Sequence, residues 1–225
     1  RVGVSRDKVR VINSIVDLAT FVPLEHDERQ ARRSKLGILK GQVALGVVGA
    51  VQEKKEQLAF IENSLPRVLA SNESVHIHFL GDCDAEGNAY ATLCLNSVKR
   101  LGISERVSFH GHTGNIAEWY PALDGVVLAS RREGLARCMI EAMACGVPVV
   151  SFAVCSATEM LELTGAGVVV PLGDHEALTS AILDVAAHPE KARQMGRAGR
   201  EIAVTKFDEA RIARAFSALY TQVID

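Results

Sequence analysis

From residue 43 onward, short apolar runs alternate with longer stretches in which apolar side chains recur at helical spacing. The short runs cover residues 44–49, 75–80, 107–109, 125–128, 147–152 and 168–170, and are dominated by valine, leucine, isoleucine and phenylalanine. Continuous apolar runs of that length suit strands buried on both faces of a parallel sheet, and the amphipathic stretches between them supply the crossover helices. Helices are expected near residues 55–70, 86–101, 115–122, 135–145, 156–163 and 174–187. Gly102 and Gly146 are placed as C-terminal stops, and Pro66 should bend or split the first helix. Six strands joined in this way predict one doubly wound, Rossmann-like α/β sheet.

The two ends of the chain have other patterns. Residues 9–12 resemble a short strand, and the polar, charge-rich stretch over 25–35 reads as a connector arriving from elsewhere. After the last strand, helices are expected over 190–204 and 208–223. In the second, Ile212, Ala215, Phe216, Leu219 and Val223 recur at helical spacing and predict a packed face. The chain opens at Arg1 without an initiator methionine, which leads us to expect a fragment.

Composition narrows the class. A chain of 225 residues, 48% hydrophobic and 23% charged, can bury one good core. No stretch approaches the roughly 20 apolar residues that cross a bilayer. Twenty-five lysines and arginines against 27 acidic residues leave no chain-wide basic field for nucleic acid. The five cysteines form no C-x-x-C pair, and are expected to be reduced thiols of a cytoplasmic protein.

Candidate chemistry gathers after the fourth strand. In open α/β sheets ligands bind beyond the carboxyl ends of the strands, where helix N-termini present free backbone N–H groups to phosphate. Residues 129–135 (ASRREGL) form such a strand-to-helix turn. Gly134 lets the backbone approach a ligand, and the amides of Gly134 and Leu135 suit a diphosphate or a sugar hydroxyl. Glu141, about two turns on, suits vicinal ribose hydroxyls, from which a carboxylate readily accepts hydrogen bonds. Taken singly, the plainer readings are a helix-dipole partner for Glu133 and an exposed helix residue for Glu141.

His76 and His78 share one face of a strand, and His110 and His112 flank Gly111, but nothing near them has metal-ligand spacing, so no metal is expected. Arg193, Arg197, Arg200, Arg211 and Arg214 would make a basic strip for anionic headgroups. With Glu190, Glu201, Asp208 and Glu209 interspersed, a solvated face accounts for them better.

Residues 130–150 (SRREGLARCMIEAMACGVPVV) resemble the glutamate-seven-residues-glutamate signature of the group 1, family 4-like retaining glycosyltransferases, typified by bacterial mannosyl- and glucosyltransferases and sucrose synthase. The likeness runs over essentially the whole chain. Residues 9–17 with 21–23 resemble that family's interdomain connector, residues 165–174 its last strand and helix start, and 207–220 its closing helix. The resemblance implies the C-terminal half of a two-domain GT-B fold. Residues 1–40 would be the connector with a remnant of the entry strand, 41–205 the nucleotide-sugar-binding domain and 206–225 the closing helix.

Carried over residue by residue, the resemblance assigns Glu133 to the donor sugar's hydroxyls, Gly134 and Leu135 to sugar or phosphate through their amides, and Glu141 to the ribose. Lys55, after the strand ending at Gly49, would hold the diphosphate and offset charge on the leaving group. The base would lie near Gly111 and His112. The implied donor is a UDP-, GDP- or ADP-sugar, with no cofactor and no metal. The implied acceptor is a saccharide or lipid-linked molecule held by a missing N-terminal acceptor domain. Peripheral contact with the inner face of a membrane fits such an acceptor.

The chain also departs from the pattern. Ala50 stands where the family usually has an arginine partnering the lysine, and Lys54, Arg131 and Arg137 are the nearby cations that would substitute. Cys83 and the pair Cys155-Ser156 replace usual glycines and narrow the room for a donor. These departures motivate an alternative, a catalytically weak GT-B-like binding or scaffolding module. A GT-B epimerase or phosphorylase is disfavoured by the 133–150 run.

Overall fold

The computed structural model describes residues 5, 9, 10, 12, 14–83, 87–154 and 157–224, the side chains of 223 and 224 excepted. Among these, β1 (Val43–Val48), β2 (Val75–Leu80), β3 (Val107–Phe109), β4 (Gly125–Leu128), β5 (Val149–Phe152) and β6 (Gly167–Val170) pair into one parallel sheet. Their order is β3-β2-β1-β4-β5-β6, the doubly wound Rossmann-like arrangement that the apolar runs predict. The order reverses between β1 and β4, so the crevice that α/β sheets use for ligands opens beyond the carboxyl ends of those two strands.

Helices cover both faces: α1 (His26–Lys35), α2 (Gln57–Asn63), α3 (Leu65–Ser71), α4 (Ala89–Arg100), α5 (Arg137–Ala144), α6 (His175–Ala187), α7 (Pro189–Lys206) and α8 (Glu209–Ile224). Pro66 does split the first predicted helix, sitting in the opening turn of α3 where its missing N–H leaves no bond unmade. The segment expected as a helix over 115–122 instead makes two 3-10 turns, Ile116–Glu118 and Tyr120–Ala122. Pro121 lacks the N–H an α-helix would need there. The helix expected over 156–163 is a single π turn, Thr158–Glu162.

The stretch expected as a connector contains α1, which its polar composition concealed. Its packing rests on cations rather than on an apolar stripe. Arg33, only 5% exposed, donates to Ala122 O at 2.7 Å, Gln42 O at 2.6 Å and Asp124 Oδ2 at 3.0 Å. Arg29 donates to Asp124 Oδ1 at 2.7 Å and to Pro121 O at 3.0 Å. Asp124 also accepts the Ala44 amide at 2.8 Å, so one carboxylate ties α1 to the start of β1 and to the turn before β4.

Two terminal expectations need correction. The packed face predicted for α8 is confined to its first turns: Ile212 is buried and Leu219 partly so, but Ala215 and Phe216 are exposed. Val223 lies beyond the described side chains. The helix starts where Val16 N donates to Phe207 O at 3.0 Å and Val16 bridges Asp208, and little of the described body lies beside its later turns. Residues 9, 10 and 12 carry no strand pairing, and residue 11 of that predicted strand lies outside the described residues. Within α7 a glycine is mandatory, because a Cβ at Gly196 would stand 1.9 Å from Gly146 O. This contact lets α7 lie directly against the end of α5.

Candidate functional site

The loops that leave the carboxyl ends of the strands build the site. The ladder continues past the strand ends, with Gly49 N donating to Leu80 O at 2.9 Å and Gly81 N to Gly111 O at 3.0 Å. Gly81 cannot be another residue without displacement: at φ +151°, its Cβ would lie 2.4 Å from the carbonyl carbon and oxygen of Gly49. This close backbone approach aims the chain after β1 into residues 50–57, which Gln57 then braces. The Gln57 amide, buried, donates to Ala50 O at 3.0 Å and accepts the Gln52 amide at 3.3 Å.

Lys55 ends the 3-10 turn Glu53–Lys55, and its ammonium reaches back over Gly49, where a Cβ would lie 3.5 Å from Nζ. Across the switch point, the turn after β4 brings Glu133 to it, with Lys55 Nζ and Glu133 Oε1 2.5 Å apart. The two side chains are 19% and 14% exposed, so the pair is largely shielded from solvent. Glu56 has the left-handed φ of 50° and lies 3.4 Å from Arg131 Nη1. The loops after β1 and β4 are thus closed on each other by two ion pairs, and both carboxylates face cations that a diphosphate would attract.

Glu141 sits in the second turn of α5. Its Oε2 accepts the hydroxyl of Tyr120 at 2.8 Å, and its Oε1 lies 3.6 Å from Arg137 Nη2. Tyr120 is 0% exposed, and its ring meets Phe21 of the connector edge-on at 5.8 Å. Burial, then the neighbouring Cys138 and Glu141, push the Tyr120 phenol well above its ordinary range, so it remains a hydrogen-bond donor. Cys138 lies buried beside Glu133 and Glu141, and its thiol is pushed up to about 11, chiefly by burial, which keeps it neutral and unreactive.

The remaining candidates fall around this centre. Gly134 is exposed and a Cβ there would meet nothing within 4 Å, so any need for glycine comes from the ligand side. Leu135 is exposed and borders a cavity of about 420 Å³ shared with Glu159, Met160, Lys206, Phe207 and Arg211. Gly111 anchors Gly81 through its carbonyl, and His112 beside it is exposed. Position 50 supplies no cation, and of the candidate substitutes Arg131 faces Glu56, Arg137 faces Glu141 and Lys54 is exposed. Cys83 is half-buried, and Cys155-Ser156 lie outside the described residues. The four described cysteines are free thiols.

Two of the histidines come together as a core feature. His78 Nδ1 and His110 Nε2 are 3.0 Å apart, and both rings pack on Trp119, at 5.6 and 4.4 Å. Among the described residues, no three His, Cys, Asp or Glu side chains gather as metal ligands. Nor is any described helix long and apolar enough to cross a membrane. The sequence pointed to Glu133 and Glu141, the family resemblance to Lys55, and the missing arginine to Arg131 as a substitute, but nothing in the sequence pointed to Tyr120. A buried phenol on a 3-10 turn has no local signature that names its partner 21 residues away.

Residues 42–188 match the family model described as Glycosyl transferases group 1. The chain belongs to the group 1 glycosyl transferases. A relative in this family, the lipopolysaccharide core biosynthesis mannosyltransferase LpcC of Rhizobium leguminosarum bv. viciae, is 30% identical over 95% of this chain and 60% of its own length. Sucrose-phosphate synthase from Thermosynechococcus elongatus superposes with a TM-score of 0.84 and 27% identity, over 96% of this chain and 52% of that one. Anabaena HepE in complex with UDP-glucose superposes at 0.85 with 23% identity, over 98% of this chain and 59% of that one. The group 1 chain spans 32% to 60% of the length of such curated relatives. Its sheet and flanking helices are those of its GT-B structural neighbours.

Proposed function

We propose that the chain is the donor-binding half of a retaining glycosyltransferase that takes a nucleoside-diphosphate sugar and passes the sugar to a saccharide or lipid-linked acceptor. The observation that carries this reading is the convergence of Lys55 and Glu133 across the β1–β4 switch point, with Glu141 on the helix behind. A diphosphate seated at the crevice would meet the Lys55 ammonium, and its ribose would meet Glu141. The hexose would meet Glu133 and the amides of Gly134 and Leu135. Anabaena HepE, of the same fold, holds UDP-glucose, which supports a nucleotide sugar as the ligand class. No metal and no cofactor is needed in this scheme.

In the reaction, the bond from the sugar's anomeric carbon to the phosphate oxygen breaks as the acceptor oxygen bonds to that carbon on the same face. The acceptor hydroxyl's proton passes to the departing phosphate. Lys55 offsets the charge that grows there, the role that pre-aimed cations play at developing anions. With Ala50 in place of an arginine, Lys55 carries more of that role alone.

Calorimetric titration of the chain with UDP-, GDP- and ADP-sugars tests the reading. One of the three is expected to bind. Glu141→Ala should weaken it about tenfold, as loss of a charged hydrogen bond does. Lys55→Ala should weaken it more, and most at low salt, because screening reduces what the ammonium contributes. A folded sample that binds none of them would instead favour the scaffolding alternative.

A further inference from the structure

The shortest hydrogen bond to Glu141 comes from outside its own helix. Its Oε2 is occupied by the Tyr120 hydroxyl at 2.8 Å, and Arg137, the cation one turn before it, stands 3.6 Å from Oε1 on a largely exposed side chain. Tyr120 is fully buried, on the 3-10 turn Tyr120–Ala122 that leads into β4, and Phe21 packs edge-on against its ring. A buried phenol that must donate has one carboxylate oxygen to donate to, and the other, Oε1, then faces only the largely exposed Arg137 at 3.6 Å.

We propose that Tyr120 is a positioning residue for nucleotide recognition: its hydroxyl fixes Glu141 Oε2 so that Oε1 is presented to the vicinal hydroxyls of the ribose. The inference rests on the donor-domain reading of the site. A carboxylate fixed at one oxygen presents its remaining lone pairs without having to order a rotamer first, and such prior fixing raises both affinity and selectivity for the group it meets. Tyr120 therefore acts on sugar discrimination through Glu141, not on the phosphates that Lys55 holds. The phenol's raised titration keeps this donor in place across the working pH range.

The test compares ribose with deoxyribose ligands. Wild type, Tyr120→Phe, Glu141→Ala and the double variant are titrated with UDP, GDP, ADP and their 2′-deoxy forms, after thermal melts establish that each is folded. Wild type should prefer the ribose form by about tenfold, the usual scale for one charged hydrogen bond. Tyr120→Phe should lose most of that preference while leaving deoxy-ligand affinity within about twofold, and the double variant should match Glu141→Ala alone.

Three outcomes would overturn the inference. If Glu141→Ala loses the preference but Tyr120→Phe keeps it, Tyr120 is only structural. If Tyr120→Phe weakens both forms equally, its role is packing. If no diphosphate binds wild type at all, the donor reading fails and this inference falls with it. Should Tyr120→Phe not fold, 3-fluorotyrosine replaces the three tyrosines, assigned through Tyr90→Phe and Tyr220→Phe. The fluorine signal of Tyr120 is then expected to shift with UDP and not with 2′,3′-dideoxy-UDP, and equal shifts would reject the inference.

Discussion

Lys55 and Glu133 already satisfy each other, and this sets how the site meets a ligand. On the proposed donor reading, a diphosphate would have to take Lys55 from a carboxylate 2.5 Å away, so its binding would be an exchange of anions rather than a simple gain. Glu133→Gln removes the competing charge and keeps the shape. A nucleoside diphosphate without its sugar should then bind about fivefold tighter than to wild type, corresponding to ~1 kcal/mol for a partly shielded pair. Calorimetry with UDP, GDP and ADP measures this, and unchanged or weaker affinity would show that the pair does not compete. The two glutamates were legible in the sequence because the strand-to-helix turn located them, and the lysine through the family resemblance. Their mutual contact was not, since Lys55 and Glu133 are 78 positions apart and no local pattern encodes such a meeting.

At the scale of elements, β2 and the residue just past β3 carry a histidine pair that makes the fold sensitive to acid. Burial first, then His110, His76 and Arg33, outweighs Asp124 and holds His78 at about 4 instead of 6.5. His110, also partly buried, is lowered by the same cause. The folded ring stays neutral while the unfolded ring takes up a proton, so the native state is fully stable above 6.5 and loses stability as pH falls towards 4. The loss from His78 amounts to about 3 kcal/mol across that window. Urea midpoints at neutral and mildly acidic pH should record it, and His78→Phe should flatten the difference. An equally steep acid loss in that variant would place the cause elsewhere. The alternation of His76 and His78 announced a shared face, but only the tertiary structure gathered His78, His110 and Trp119 into one cluster and left His76 outside it.

At the scale of the whole molecule, α1 is held to the sheet by charge. Arg33 and Arg29 share Asp124 and gather the carbonyls of Pro121, Ala122 and Gln42 at the amino end of β4, opposite the crevice. Without Arg33, Asp124 keeps Arg29 and the Ala44 amide, but the carbonyls of Ala122 and Gln42 lose their Arg33 donor. Arg33→Leu is expected to cost about 1–3 kcal/mol, the scale of hydrogen bonds to a charged group lost at a shielded site, and to expose α1 to proteolysis, measurable by urea unfolding and limited trypsin digestion. A loss within about 0.5 kcal/mol, as at an ordinary surface position, would show that α1 is only loosely docked. The stretch before α1 brings Phe21 onto Tyr120, so the segment that reads as a link to another domain also supports the carboxylate proposed to hold the ribose.

The periodicity of apolar positions determined the sheet, its strands and most of its helices, because a parallel sheet buried on both faces leaves that pattern in the chain whatever packs around it. The run from Ser130 to Val150 likewise located the turn and helix that carry Glu133 and Glu141. Only the tertiary structure decided which charges meet, that Arg33 is buried, that residues 115–122 tighten into 3-10 turns, and that α8 leaves most of its expected face uncovered. Those outcomes depend on partners tens of residues distant. Local sequence pattern records which surface must be buried, whereas a buried hydrogen bond or ion pair is recorded only where both of its ends come together.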